Sequence, residues 1–167
     1  EHLAGAREIL ATAGLDESSL GNLIDYPLDD TERERAIRDG KQRTSLQMNC
    51  SGKHASMLAT CVAAGWPTDK SYLSAEHALQ QHITNMIPSL AGEPAGHIAV
   101  DGCGAPAHAL SLIGLARAFR TIATAAAGTA AHQVAQAMTS HPLMVGGPTR
   151  DVTLLMQGVP GLVAKDG

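Results

Sequence analysis

Only four of the 167 residues are aromatic (Tyr26, Trp66, Tyr72 and Phe119), although 44% of the chain is apolar. A core made from such a sequence must be aliphatic and tightly spaced, with Ala, Leu, Met and Gly supplying it. Small side chains also let helices approach closely. A chain of this length buries on the order of ~70% of the surface its unfolded form exposes, so residues 1–167 are read as a single domain. The Ala-rich stretch Ala123 to Ala131 is the one compositional bias, and no repeat is present.

The formal net charge is −4 with a pI near 6.0. No run of Lys or Arg forms a basic stripe, which argues against nucleic acid and against an anionic membrane surface as partners. A small-molecule substrate is the expectation. Apolar stretches break off well before the ~18 residues of a membrane span, and the N-terminus carries no signal-peptide pattern. Three cysteines, Cys50, Cys61 and Cys103, are an odd count without disulfide-scaffold density. These features together predict a reducing, cytoplasmic setting.

Apolar spacing predicts an amphipathic helix from Leu3 to Ala13, stopped at Gly14. The charged stretch Asp25 to Gln42 reads as a surface loop with a short exposed helix. Ser51 reads as the cap of a helix with Met57, Leu58 and Cys61 on one face, ending near Gly65-Trp66-Pro67. Ser74 reads as the cap of a second helix carrying Leu79, Ile83, Met86, Ile87 and Leu90, stopped by Gly92 and Pro94. The β-branched run His97 to Val100 predicts a strand that delivers the glycine-rich loop Asp101-Gly102-Cys103-Gly104. Pro106 is placed to begin a helix running to about Phe119, with Leu110, Leu112 and Ile113 inside, and another helix is expected from about Thr129 to Met138. The run from Pro160 to Lys165 reads as a turn into a final strand with a lysine at its end.

Cys50 and Lys53 stand three residues apart at a helix start, on the same side of one turn. A helix N-terminus favours the thiolate, the form that binds metal or attacks carbonyls. Cys103 lies at the carboxyl end of a strand. Two thiolates and a third donor would suit Zn²⁺, with the fourth position left for water. By spacing alone, however, two cysteines 53 residues apart without a C-x-x-C read as buried hydrophobes. A lysine must also lose its proton before it can ligate a metal. Ser51-Gly52-Lys53 fails as a phosphate-binding loop, because Gln47 and His54 stand where that loop needs Gly and Ser or Thr. Both halves of the zinc deaminase signature are missing.

Taken in order, the segments Asn49-Cys50-Ser51-Gly52-Lys53-His54-Ala55, Asp101-Gly102-Cys103-Gly104-Ala105-Pro106, Ala137-Met138 with His141-Pro142, Val145-Gly146-Gly147, Arg150, and Pro160 to Lys165 resemble the motif series of the bacterial, zinc-associated L-asparaginase II family. The resemblance runs over essentially the whole chain. Ser56 stands where the family usually has Gly, and Arg150-Asp151-Val152-Thr153 shifts an acidic residue by one place from the usual pattern.

The resemblance implies an α/β fold of the α+β kind, similar to the serine β-lactamases and glutaminases, with a helical cluster packed on an antiparallel sheet. It implies hydrolysis of L-asparagine to L-aspartate and ammonia by a serine–lysine acyl-enzyme mechanism, in a homodimer. By position, Lys165 matches the family's catalytic lysine. Cys50, Lys53 and Cys103 match the zinc-holding residues, and His54 and Asp101 match residues that contact substrate. His141 and Arg150 belong to the pattern without a chemical role. Cys61 is core. The family's nucleophilic serines are expected upstream of Glu1 and a glycine-rich acidic segment beyond Gly167, so these 167 residues read as the family's central part and are expected not to turn over asparagine by themselves. The rival reading is a truncated or degenerate relative that binds zinc without catalysis. A metallohydrolase using zinc-bound hydroxide is disfavoured by the two thiolates and the lack of a nearby Glu base.

Overall fold

The computed structural model describes residues 1–166. They form a mixed helical and antiparallel-sheet architecture of the α+β class that divides into two compact units. The first comprises Glu1–Asn85 and His97–Ala109, and the second Met86–Gly96 and the residues from Leu110 onward.

In the first unit, α1 (His2–Thr12) packs on α3 (Ser51–Ala64). Ala6 and Leu10 of α1 meet Ala55, Leu58 and Cys61 of α3, with Leu20, Leu46, Tyr72 and Leu79 closing the cluster. This is the aliphatic, small-residue core the composition requires, with one fully buried aromatic, Tyr72, inside it. The charged stretch contains α2 (Asp30–Arg38), which buries only Ala36 and begins with the Asp29 side chain accepting from the Glu32 amide. Helix α3 starts one residue earlier than the sequence suggested: Cys50 is the cap, and Ser51 is the first helical residue. It ends where Gly65 adopts φ 70°, a left-handed conformation that glycine reaches without Cβ strain.

Ser74 does not cap the next helix. It closes the short 3-10 turn Lys70–Leu73, and α4 (Ala78–Ala91) begins four residues later. On α4, Leu79 is buried and Ile83, Ile87 and Leu90 are half-buried, while Met86 is exposed. Strand β1 (His97–Val100) is as expected. The helix predicted from Pro106 is corrected: Pro106–Ala109 forms β2, antiparallel to β1 with Val100 opposite Pro106 and His97 opposite Ala109. The fixed φ of proline serves a first strand residue as well as a first helical one, and the hairpin register decides between them.

In the second unit, α5 (Leu112–Ala123) starts at Ser111, whose side chain accepts from the Gly114 amide. Leu112 and Ile113, expected inside, are 85% and 64% exposed. Glu93 anchors this turn by accepting from the Ser111 amide at 2.7 Å and its hydroxyl at 2.9 Å. Helix α6 (Ala130–Ser140) is capped by Thr129, close to the predicted span. Two further helices, α7 (Pro142–Gly146) and α8 (Asp151–Gly158), were not foreseen. Val152, Thr153 and Met156 of α8 are buried, and the Thr153 hydroxyl donates to the Gly147 carbonyl at 2.7 Å. The final strand is also corrected. Residues 162–166 carry no regular structure, because the sheet among the described residues has only β1 and β2 and offers this segment no partner. No helix among the described residues is long and apolar enough to cross a membrane.

Candidate metal centre

Two loops of the first unit bring the site together. One is the start of α3, where Cys50 makes no side-chain capping bond and Lys53 follows within the first turn. The other joins β1 to β2. It is closed by the Asp101 amide donating to the Ala105 carbonyl and the Gly104 amide donating to the Asp101 carbonyl, both at 2.8 Å. Gly104 sits at φ 92°, a conformation that disfavours any side chain. This tight turn buries Cys103 and fixes Asp101 beside it.

The donor atoms of Cys50, Asp101 and Cys103 all lie within 4.8 Å of one another. Lys53 Nζ donates to Asp101 Oδ2 at 3.0 Å, and the Cys103 thiol donates to the same oxygen at 3.1 Å. The other carboxylate oxygen accepts from the Gly102 amide at 2.8 Å. Residues 48 positions apart in sequence therefore share one cluster of two sulfurs, an amine and a carboxylate.

The electrostatics follow from these contacts. The hydrogen bond from Lys53, then that from Cys103, hold the Asp101 carboxyl down at about 2, against a smaller desolvation cost. Burial pulls the Lys53 amine down, but its hydrogen bonds to Asp101 and Cys103 and the neighbouring thiols outweigh it, so its pKa is raised. Burial pushes the Cys50 thiol up, partly opposed by the Lys53 cation.

The donor set fits a metal ion. On a tetrahedral centre with metal–sulfur bonds of ~2.3 Å, two sulfurs stand roughly 3.8 Å apart, which the 4.8 Å limit of this cluster accommodates. Sulfur with nitrogen or oxygen is a soft-to-borderline combination. Cys50, Asp101 and Cys103 could thus hold a metal, with Lys53 in direct contact with the cluster.

Next to Lys53, His54 is fully buried on the core face of α3. Its Nδ1 lies 2.7 Å from the Tyr72 hydroxyl, which also accepts from the Gly21 amide at 2.9 Å. Among the described residues its Nε2 has no hydrogen-bond partner. Burial, then the Lys53 cation, push the His54 pKa down to about 4. The adjoining residue of the Gly21 loop, Asn22, is also buried with its Oδ1 unpartnered, and the Leu23 amide donates to the Cys103 carbonyl at 3.4 Å.

Five of the six residues singled out in the sequence, Cys50, Lys53, His54, Asp101 and Cys103, thus belong to the first unit. The sixth, Lys165, belongs to the second, where it is exposed and donates to the Asp166 carbonyl. His141 is the junction residue between α6 and α7, and Arg150 caps α8 with its Nε 3.4 Å from Asp166 Oδ2. Two things escaped the sequence reading: Asp101 lies inside the metal-competent cluster, and Tyr72 holds His54. The D-x-C spacing could have signalled the first. For Tyr72 the only hint was its being one of so few aromatics.

No curated protein matches this chain. The L-asparaginase II family profile, in contrast, matches residues 1–167, and the chain carrying this cluster therefore belongs to the L-asparaginase II family.

Proposed function

We propose that the protein is an L-asparagine amidohydrolase that yields L-aspartate and ammonia, with zinc held by Cys50, Lys53 and Cys103. The observation that carries this reading is the convergence of Cys50, Lys53, Asp101 and Cys103 from two distant motifs in a chain of the asparaginase family. Bound there, zinc would supply a fixed positive charge able to polarise an oxygen of the substrate. Asp101 and His54 would meet the polar groups of asparagine. Lys165, as a neutral amine, would take the proton of a serine hydroxyl as that oxygen attacks the side-chain amide carbon. Ammonia leaves with a proton, and water then cleaves the acyl-serine ester to release aspartate. The wider architecture in this reading is a single domain resembling the serine β-lactamases and glutaminases, in a cytoplasmic homodimer.

Ammonia release from L-asparagine by the full-length protein is the direct test. Lys165→Met keeps most of the stem's apolar volume and removes the proton acceptor, so kcat should fall by at least ~10². Activity within a few-fold of the parent would remove Lys165 from the mechanism. Zinc and asparagine binding with no ammonia release would establish the non-catalytic relative instead.

A further inference from the structure

We propose that Tyr72 is a positioning residue for His54, fixing its ring with the proton on Nε2 so that this nitrogen donates to an oxygen of the bound substrate. The inference rests on the amidohydrolase reading only for the identity of that substrate.

Counting donors and acceptors around the Tyr72 hydroxyl fixes where the imidazole proton sits. The Gly21 amide can only donate, so the Tyr72 oxygen accepts from it at 2.9 Å. The hydroxyl keeps one proton of its own, and His54 Nδ1, at 2.7 Å, is the one other partner this hydroxyl has among the described residues. If Tyr72 donates to Nδ1, every group in the chain Gly21–Tyr72–His54 is used and a single atom, Nε2–H, is left over. If Nδ1 carried the proton instead, the hydroxyl proton of a fully buried tyrosine and the Nε2 lone pair would both be stranded. Each unpaired buried polar group is costly, so the first arrangement is preferred.

The arrangement is also held rigidly. Tyr72 and His54 are both 0% exposed, with ring centroids 5.6 Å apart in an edge-to-face contact. A Cβ at Gly21 would lie 3.0 Å from Tyr72 Cε1 and 3.1 Å from its hydroxyl, so any larger residue here would press the buried ring out of place by a few tenths of an ångström. The Tyr72 carbonyl is held in turn by Gln80 Nε2 at 2.8 Å. A buried N–H donor left without a partner, on the residue adjacent to Lys53 of the candidate metal cluster, calls for an oxygen acceptor. Asparagine offers two kinds, its carboxylate and its amide carbonyl.

Nitrogen-15 NMR of histidine-labelled protein reads the proton position directly. In the parent, His54 should show a protonated Nε2 and a hydrogen-bonded acceptor Nδ1; a proton on Nδ1 overturns the proposal. Tyr72→Phe should move the Nδ1 resonance toward that of a free acceptor and raise KM for asparagine by about tenfold while kcat stays within about threefold, the signature of lost binding rather than lost chemistry. An Nδ1 resonance unchanged in Tyr72→Phe overturns it. Should that variant not fold, Gly21→Ala, which presses on the same ring, must shift the same resonance, and no shift overturns it equally. Adding asparagine should displace the Nε2 proton resonance. In the full-length protein, if ammonia is released and that resonance does not move, the donor role fails; if no ammonia is released and the Nδ1 results hold, it is the amidohydrolase reading that fails.

Discussion

Lys53 Nζ and Asp101 Oδ2 stand 3.0 Å apart, so the amine proposed as a zinc ligand is paired with a carboxylate. The pair is partly solvated, with the two side chains 40% and 43% exposed, and its worth as a salt bridge is small. Its consequence is chemical. Each partner favours the charged form of the other, and Lys53 must shed a proton before its nitrogen can ligate.

Metal uptake should therefore release protons and weaken with falling pH. The raised pKa values of Lys53 and Cys50 mean that both are protonated at neutrality, so acid opposes binding and base assists it. Calorimetric zinc titration in two buffers of different ionisation enthalpy should give different heats, with affinity rising from pH 6 to pH 8. Identical heats would show that no ligand loses a proton and would remove Lys53 and Cys50 as donors.

Cys103→Ser should abolish stoichiometric metal binding, lowering zinc from about one per chain to a small fraction, because it removes one of the two thiolates, the softest donors in the cluster. The variant's thermal stability should match that of chelator-treated parent. A variant that still holds metal, or a parent whose melting point ignores chelator, would place the metal elsewhere or nowhere.

Acid should destabilise the fold in two separate windows. Burial lowers the pKa of His54 from 6.5 to about 4 and lowers that of His108. A depressed folded-state value means that the unfolded chain takes up protons first, so stability is full above about 6.5 and falls as the pH drops toward 4. For His54 the full shift corresponds to roughly 3 kcal/mol. Asp101, held at about 2 from 3.8, loses its contribution only below that range. Urea titrations between pH 8 and pH 4 on the metal-free protein check the first window, and His54→Gln should flatten it. A stability independent of pH across this range would contradict the burial of both rings.

Leu58→Ala should cost about 2–5 kcal/mol, since Leu58 is fully enclosed in the cluster where α3 meets α1. Denaturant midpoints measure this. A loss below about 1 kcal/mol would show that the α1–α3 contact is not where the first unit draws its stability.

The sequence alone determined several of the helices and the family to which the motifs belong. Gly65 stops α3 in a left-handed conformation and Thr129 opens α6, both close to where the sequence placed them. These are local effects, complete within four residues, and so they are legible in order along the chain. The tertiary structure decided what depends on a partner distant in sequence. Pro106 is compatible with a helix or a strand until His97–Val100 is alongside to take it into a ladder. The segment after Pro160 has strand-like composition but no neighbouring strand among the described residues. Cys50, Lys53, Asp101 and Cys103 become one site only because the hairpin turn is carried back to the start of α3, and Tyr72 meets His54 and the Gly21 loop only through packing distant in sequence. Hydrogen-bond partners 18 to 51 residues apart are chosen by packing, which no local pattern of side chains encodes.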